Sequence, residues 1–217
     1  MDKKITVLIT DDHPVARAGV RTMLEQIPDM EIIGEAQDGD EAQKLVADLR
    51  PQVLLLDLKM PGLSAAELEK WVRVNYPEIV TLVLTAHDRD AYLAGMMEAG
   101  AAGYLPKSER GENLVAAIRR AARGECLFTD EQFERARKWR KNAGEKMESL
   151  TEREREVLKL LTAGLNNAAM AKSLGITPKT IAYHVTEILQ KLEVHSRLEA
   201  AAWVSKYFPT DLEEIPG

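Results

Sequence analysis

Apolar residues in the first half of the chain fall into short unbroken runs that alternate with longer stretches of mixed character. The runs, such as residues 53–56, suit strands that are buried on both faces of a parallel sheet. The stretches between them repeat apolar residues every three or four positions, as amphipathic helices do. Five such strand–helix units follow one another up to Gly124. This alternation predicts an α/β domain built on a doubly wound five-stranded parallel sheet, with helices on both faces.

The boundaries of these elements follow from turn and capping residues. The predicted strands cover residues 5–9, 31–36, 53–56, 80–85 and 103–107. The predicted helices begin near Pro14, Gly39, Ser64, Asp88 and Glu109. Proline suits the first turn of a helix and serine its N-cap. In the first helix, which should end near Gln26, the residues expected to face the sheet are Val15, Gly19, Met23 and Leu24.

The second half of the chain shows only helical periodicity. Thr151, with Glu154 three residues later, forms a capping box at the start of a first helix. Asn166 and Thr177 are predicted to cap a second and a third helix, and Ser196 a fourth. The inward stripe of the third helix is Ile181, Val185, Ile188, Leu189 and Leu192. These elements predict a small all-α, four-helix domain with a helix-turn-helix, although any small helical domain contains similar corners.

The segment that connects the two halves carries apolar residues at helical spacing, namely Phe133, Ala136 and Trp139. Its six basic and six acidic residues balance. We predict a solvated amphipathic linker helix, with a hinge at residues 142–144; the alternative is that its basic cluster touches phosphates. The predicted organisation is a first domain at residues 1–124, a linker helix at 125–148 and a second domain at 149–217.

Composition narrows the function classes. The chain has 217 residues, of which 45% are hydrophobic and 29% charged, and its net charge is −6. With this net charge, the chain as a whole is not an obvious nucleic-acid binder. The acidic excess lies mainly in residues 1–124, which hold 20 acidic and 15 basic residues. The single cysteine, Cys126, cannot form an intramolecular disulfide and favours a reducing compartment. No apolar run approaches membrane length and no cleavage-site pattern is present, so we expect a cytoplasmic protein without a membrane partner.

Chemically active side chains stand where the predicted strands end. Asp11 and Asp12 follow the first strand and Asp57 the third, while Thr85 ends the fourth and Lys107 the fifth. In a doubly wound sheet these ends converge on one crevice. Crowded carboxylates repel one another unless a cation joins them, and a hard cation such as Mg²⁺ prefers oxygen ligands. Lysine and hydroxyl groups beside it would hold phosphoryl oxygens, with Asp57 as the nucleophile.

Each of these residues also has a simpler explanation. A strand-end aspartate can cap a helix, Thr85 can belong to the core, and Lys107 can be a solvated charge. Their joint occurrence at neighbouring strand ends favours the phosphoryl site. A nucleotide site is not favoured, because neither common glycine-rich phosphate loop follows the first strand.

The strand-end motifs resemble the receiver domain of two-component response regulators, which has a flavodoxin-like fold. They are residues 11–14 (DDHP), 56–62 (LDLKMPG), 84–86 (LTA) and 103–107 (GYLPK), and the resemblance covers about residues 4–124. It implies that Asp57 accepts a phosphoryl group from a sensor histidine kinase. It further implies that Mg²⁺ binds to Asp12, Asp57 and the backbone carbonyl of Lys59, with help from Asp11.

The resemblance also implies a switch, in which Thr85 and Tyr104 shift on phosphorylation and remodel the surface near the last helices. The alternative for Tyr104 is a plain core aromatic with its hydroxyl at the surface.

The motifs of the second half at residues 150–158, 164–167, 176–181 and 191–194 resemble the LuxR-type output domain, so the whole chain resembles a NarL/FixJ-type response regulator. That implies binding to double-stranded DNA through the third helix of the second domain. The candidate DNA contacts are Lys179, Thr180, Tyr183, His184, Thr186, Gln190 and Lys191. The chain departs from the family pattern at Ala168, Ala169 and Ala182, and the loss of lysines at 168 and 182 reduces the expected phosphate contacts by two.

The expected function is transcription regulation by a protein that is phosphorylated on Asp57 and forms a homodimer when phosphorylated. The fourth helix of the second domain offers a dimer surface or else only packs the core; the residues concerned are Leu198, Ala201, Ala202 and Val204. The alternative function is a phosphorylation-dependent interaction protein or phosphate sink with weakened DNA binding. An enzyme is not expected, because a phosphatase would need a second general acid near Asp57.

Overall fold

The computed structural model describes residues 4–208, except the side chain of Lys206. The chain divides after Ala136 into two compact units, and the division falls inside the predicted linker helix. The acidic end of the chain, residues 209–217, lies outside the described residues. Among the described residues, no helix combines the length and apolar character needed to cross a membrane.

The first unit is the predicted α/β domain. Its strands are β1 (Ile5–Thr10), β2 (Met30–Ala36), β3 (Val53–Leu56), β4 (Val80–Thr85) and β5 (Gly103–Pro106). Its helices are α1 (Pro14–Leu24), α2 (Gly39–Leu49), α3 (Ala65–Asn75), α4 (Asp90–Ala99) and α5 (Gly111–Ala121). All strand pairs are parallel, and the order β2-β1-β3-β4-β5 confirms the predicted doubly wound sheet.

The middle of the sheet places the acidic strand ends side by side. Strand β3 lies between β1 and β4, and all four of its residues are buried, as its unbroken apolar run predicts. Thr10 at the end of β1 pairs in register with Leu56 at the end of β3. The residues that follow these two positions therefore emerge next to each other at the carboxyl edge of the sheet.

The predicted inward face of α1 is partly wrong. Val15 is 87% exposed and Gly19 is exposed, whereas Leu24 is fully buried and Met23 packs against the core. The stripe that contacts the sheet includes Val20 instead. Val15 precedes Val20 by five residues, which turns it about 140° round the helix and into solvent.

Within the linker, residues 125–129 are not helical, and continuous helix follows as α6 (Asp130–Trp139), a π-helical turn (Arg140–Gly144) and α7 (Glu145–Glu148). The hinge predicted at residues 142–144 falls in the π-helical turn, where Ala143 and Gly144 are buried. A Cβ atom added to Gly144 would lie 3.1 Å from the Trp139 ring, so close packing explains this glycine. Most side chains of α6 are exposed, as expected of a solvated amphipathic helix, whereas Ala136 is buried and Arg135 pairs with two aspartates.

Up to residue 208, where the described part of the chain ends, the second unit contains four further helices: α8 (Glu152–Thr162), α9 (Asn167–Leu174), α10 (Pro178–Leu192) and α11 (Arg197–Tyr207). The predicted caps form, including the capping box of Thr151 and Glu154. Helix α9 ends at Gly175, which has a positive φ of 66° that glycine adopts without strain. The apolar stripe of α10 packs against α8 and α9 in one core, which yields the expected helix-turn-helix.

Candidate functional site

The three predicted aspartates form one acidic pocket at the carboxyl edge of the sheet. The amide N–H of Asp57 donates to the carbonyl of Thr10 at 2.9 Å, which ties the end of β3 to that of β1. One ligand atom from each of Asp11, Asp12, His13 and Asp57 lies within 4.8 Å of the others. Asp11 and Asp57 are buried, whereas Asp12 lies at the partly open rim. Two carboxylates that water barely reaches thus share one small space.

His13 belongs to this cluster, although the sequence argument assigned it no role. Its backbone N–H donates to Asp11 Oδ1 at 2.9 Å, and its Nδ1 lies 2.5 Å from Asp12 Oδ1. Its side chain is mostly exposed. The signal was present in the sequence, since a histidine directly after two strand-end aspartates must share their edge of the sheet.

Lys107 bridges two of the carboxylates. Its Nζ lies 2.8 Å from Asp11 Oδ2 and 2.9 Å from Asp57 Oδ2. Burial by itself lowers the pKa of Lys107, but the hydrogen bonds and charges of Asp11 and Asp57 outweigh it, so the pKa lies above its usual value. The backbone N–H of Lys107 donates to the Thr85 carbonyl at 2.8 Å, which places the ends of β4 and β5 together. The pocket therefore holds a permanently charged ammonium beside the candidate nucleophile.

The donor set fits a hard divalent cation. Three carboxylates and one ammonium leave the pocket with a net negative charge. Carboxylates offer oxygen atoms, which are the ligands that a hard divalent cation prefers. The oxygens of Asp57 are already oriented, because Oδ1 accepts from the Leu58 N–H at 2.8 Å and Oδ2 accepts from Lys107. Lys59, whose backbone carbonyl is the other predicted ligand, follows Asp57 by two residues in the same loop.

The two predicted switch residues meet at the backbone of one loop residue, His87. The hydroxyl oxygen of Thr85, which is 1% exposed, accepts a hydrogen bond from the His87 N–H at 3.1 Å. The hydroxyl of Tyr104 donates a hydrogen bond to the His87 carbonyl. Burial and the nearby charge of Asp88 raise the pKa of Tyr104, so it stays a neutral donor. Tyr104 is thus a core aromatic whose hydroxyl holds the backbone of a loop.

The exposed face of α10 carries most of the predicted DNA-contact residues. Its exposed members are Lys179, Tyr183, Thr186 and Gln190, and Thr180 and His184 are partly exposed at its edges. Ala182, Ala168 and Ala169 are exposed as well, so uncharged side chains stand where the family pattern has other residues. This face can present hydrogen-bonding groups and one lysine to a groove.

Lys191 differs from the other candidates. Its Nζ lies 2.6 Å from Glu154 Oε2, and the same oxygen accepts the Thr151 N–H of the capping box at 2.7 Å. Glu154 is 5% exposed. The ammonium of Lys191 therefore ties the end of α10 to the start of α8.

The predicted dimer surface on α11 divides in two. Leu198 is 81% exposed and Ala202 is exposed one turn later. Val204 is buried in the core of the second unit, and Ala201 packs against that core. Arg197, which follows the N-cap of α11, donates to the Leu165 carbonyl and the Asn167 side chain, both at 2.9 Å.

Comparisons with known proteins match both units. The family described as "Response regulator receiver domain" matches residues 7–119, and "Bacterial regulatory proteins, luxR family" matches residues 148–204. The nitrate/nitrite response regulator protein NarL of Escherichia coli strain K12 is 37% identical over 205 residues, which cover 92% of this chain and 94% of the relative. The transcriptional regulatory protein LiaR of Bacillus subtilis strain 168 is 37% identical, covering 93% and 97%.

A solved structure with a similar fold is RcsB from Salmonella enterica serovar Typhimurium, bound to promoter P1flhDC in the presence of phosphomimetic BeF3⁻. It is 29% identical in sequence, with a TM-score of 0.63 over 94% of this chain and 98% of that one. The similarity therefore extends over both units of the chain.

Proposed function

Because the chain belongs to the NarL/FixJ-type two-component response regulators, with a receiver domain and a LuxR-type DNA-binding domain, we propose that a sensor histidine kinase phosphorylates it on Asp57. Phosphorylation then controls transcription through DNA binding by the second unit. The observation that carries this proposal is the acidic pocket, where Lys107 contacts both Asp57 and Asp11. The single cysteine, Cys126, supports a location in the reducing cytoplasm.

In the proposed reaction, a carboxylate oxygen of Asp57 attacks the phosphorus of a phosphohistidine on the kinase. The P–O bond forms as the P–N bond breaks, and the electron pair leaves with the imidazole nitrogen. Lys107 neutralises charge on the transferred group, and the Thr85 hydroxyl turns to donate a hydrogen bond to it. Bound Mg²⁺, held by Asp11, Asp12, Asp57 and the Lys59 carbonyl, would neutralise the phosphoryl oxygens.

The proposed output is DNA binding by the exposed face of α10. Lys179 would contact phosphate, and Gln190 and Tyr183 would contact base edges. The structure of RcsB, a similar chain that is bound to a promoter, supports this assignment. A homodimer of the phosphorylated chain would place two such helices on paired half-sites.

The phosphorylation proposal is tested with a small acyl phosphate and Mg²⁺. The full chain should gain the mass of one phosphoryl group, and Asp57→Asn should gain none. Asp48→Asn, which removes an exposed aspartate of α2, is the matched control and should react as the wild type does. Addition of a phosphoryl group to the Asp57→Asn chain would show that Asp57 is not the acceptor.

A second function is favoured by one observation. Two exposed alanines, Ala168 and Ala182, stand where the family pattern has lysines, and this loss of phosphate contacts suits an interaction protein or phosphate sink with weakened DNA binding. Binding to promoter fragments at several salt concentrations separates the two. A steep loss of affinity with salt supports the transcription regulator, and no binding in either phosphorylation state supports the alternative. We expect no hydrolysis of external phosphoesters, which would instead indicate an enzyme.

A further inference from the structure

The linker helix α6 contacts the loop between β4 and α4 and the neighbouring strand β5. The guanidinium of Arg135 lies 2.7 Å from Asp88 Oδ1 through Nη2 and 2.7 Å from Asp90 Oδ1 through Nε. One turn earlier on the same face, the Gln132 side chain donates to the Tyr104 carbonyl at 3.0 Å. Phe133 contacts Phe128 beside this face, with ring centroids 5.9 Å apart. Helix α6 therefore binds both the loop and strand β5.

The same loop is held from inside the unit by the two switch residues. The Thr85 hydroxyl accepts from the His87 N–H, and the Tyr104 hydroxyl donates to the His87 carbonyl. His87 directly precedes Asp88, so the inner and outer attachments are one residue apart. A contiguous set of contacts thus runs from the end of β4, at the acidic pocket, to Arg135 on the linker.

We propose that Arg135 is a latch that closes on Asp88 and Asp90 in the unphosphorylated chain and opens when Asp57 is phosphorylated. The inference rests on the proposed function, because it requires the Thr85 hydroxyl to turn toward a phosphoryl group. A hydroxyl that turns that way leaves the His87 N–H, and the backbone from residue 87 to 90 rearranges. The guanidinium is planar and fixed in geometry, so it satisfies both aspartates only while their spacing is maintained.

The latch reaches the output through continuous helical backbone. Helix α6 continues through Trp139 and the π-helical turn into α7, which belongs to the second unit. Release of Arg135 therefore removes the ion pairs of the second turn of α6 and leaves the first two turns held mainly by the Gln132 side chain. A π-helical turn is a local departure from α-helical bonding of the kind often found at functional positions.

Linkage makes the proposal quantitative. If binding of a phosphoryl group weakens the latch, then loss of the latch must strengthen binding of that group by the same factor. Arg135, Asp88 and Asp90 are partly exposed, so their ion pairs contribute no more free energy than ordinary surface salt bridges do. Removing it should therefore raise the affinity for a phosphoryl mimic by about three- to fivefold.

The experiment uses the full chain with Mg²⁺ and beryllium trifluoride as the phosphoryl mimic. The variants are Arg135→Gln and, from the other side of the contact, the double variant Asp88→Asn, Asp90→Asn. The matched control is Arg119→Gln, which removes a guanidinium fork to Asp29 (2.7 and 2.8 Å) in the same unit. Affinity for the mimic is measured by calorimetry, and amide hydrogen exchange is followed in residues 130–136.

In the wild type, the mimic should speed exchange in residues 130–136. Both latch variants should exchange fast before the mimic is added and should bind it three- to fivefold more tightly, whereas Arg119→Gln should match the wild type. Unchanged affinity in both latch variants, or a mimic that alters the Asp57 loop but leaves residues 130–136 unaffected, overturns the latch alone. A wild-type chain that does not respond to the mimic anywhere overturns the proposed function and the latch with it.

Discussion

At the scale of single residues, the orientation of Asp11 is set from several directions. Its carboxylate accepts from the His13 N–H and contacts Lys107, and its backbone carbonyl accepts from Arg17 Nη1 at 2.5 Å. Arg17 is itself held by Glu35 of β2, with Nε and Oε2 3.2 Å apart. A residue outside the acidic pocket thus fixes the backbone of one of its carboxylates.

We predict that Arg17→Gln lowers the affinity for Mg²⁺ by about fivefold, the effect of losing one hydrogen bond that positions a ligand. Arg21→Gln is the matched control, because Arg21 contacts Glu35 and Glu25 from the next turn of α1. Titration calorimetry of the two full-length variants measures the difference. An equal loss of Mg²⁺ affinity in both variants would mean that the ion pairs with Glu35, rather than the contact of Arg17 with the Asp11 carbonyl, support Mg²⁺ binding.

Glu69 of α3 is a second unusual residue. Its side chain is fully buried, and burial raises its pKa to about 7, although Thr81 and Arg73 oppose the shift. Arg73 Nε lies 2.9 Å from Glu69 Oε1 without the alignment of a hydrogen bond. Between pH 4.5 and about 7 the folded chain therefore holds a proton on Glu69 that the unfolded chain has lost.

The free energy of unfolding should consequently fall as pH rises through this window, by at most about 3 kcal/mol from this group. Glu69→Gln should remove that decline and stabilise the chain at pH 8 relative to the wild type. Urea unfolding of the full chain at pH 5, 6, 7 and 8 tests this. Glu67→Gln should change the stability in the opposite direction. Hydrogen bonds to Ser64 lower the pKa of Glu67, so removal of this carboxylate should destabilise the chain at neutral pH.

At the scale of elements, the two lysines of α10 have different surroundings, although the sequence made both of them candidate DNA contacts. Lys179 is exposed in the first turn of the helix. Lys191 is held in an ion pair with a buried carboxylate of α8. The same helix therefore has one cation available for phosphate and one that serves its own unit.

We predict that Lys179→Ala reduces the slope of log affinity for promoter DNA against log salt concentration by about 0.9, the loss of one phosphate contact. Lys191→Met should leave the slope nearly unchanged but lower the thermal stability of the second unit, because Glu154 loses its partner. Filter binding at four salt concentrations and calorimetric unfolding distinguish the two effects. A smaller slope for Lys191→Met would show that its ammonium reaches DNA.

At the scale of the whole molecule, the net charge of −6 disfavours binding of single chains to DNA. Pairing of two chains on adjacent half-sites would double the number of phosphate contacts. The exposed side chains of Leu198 and Ala202 on α11 form the small apolar surface available for such pairing in the second unit.

We predict that Leu198→Asp weakens binding of the phosphorylated chain to a paired site at least about tenfold, since a buried leucine contributes roughly 1.5–3 kcal/mol. Binding to a single half-site should be unaffected. Ser205→Asp adds the same charge to another exposed position of α11 and is the control. Equal binding of the Leu198→Asp and wild-type chains to the paired site would exclude this surface from dimerisation.

Prediction from the sequence succeeded where the signal is local. The strands from Val53 and Val80, and the helices capped by Asn166 and Thr177, begin as expected, because burial period and capping chemistry act within a few residues. The convergence of Asp11, Asp57 and Lys107 was also predicted, since parallel strands must end at one edge of the sheet. The fold class alone was enough to predict that these residues lie close together.

The sequence by itself determined the two kinds of unit, the strand-end carboxylates and the helix caps. Only the tertiary structure decided that Arg135 binds Asp88 and Asp90, that Lys191 binds Glu154, and that Gly144 lies against Trp139. Most of these partners are far apart in sequence, 45 residues for Arg135 and Asp90 and 37 for Lys191 and Glu154. A charged side chain has the same local pattern whether it is solvated or paired, because its partner is selected by packing.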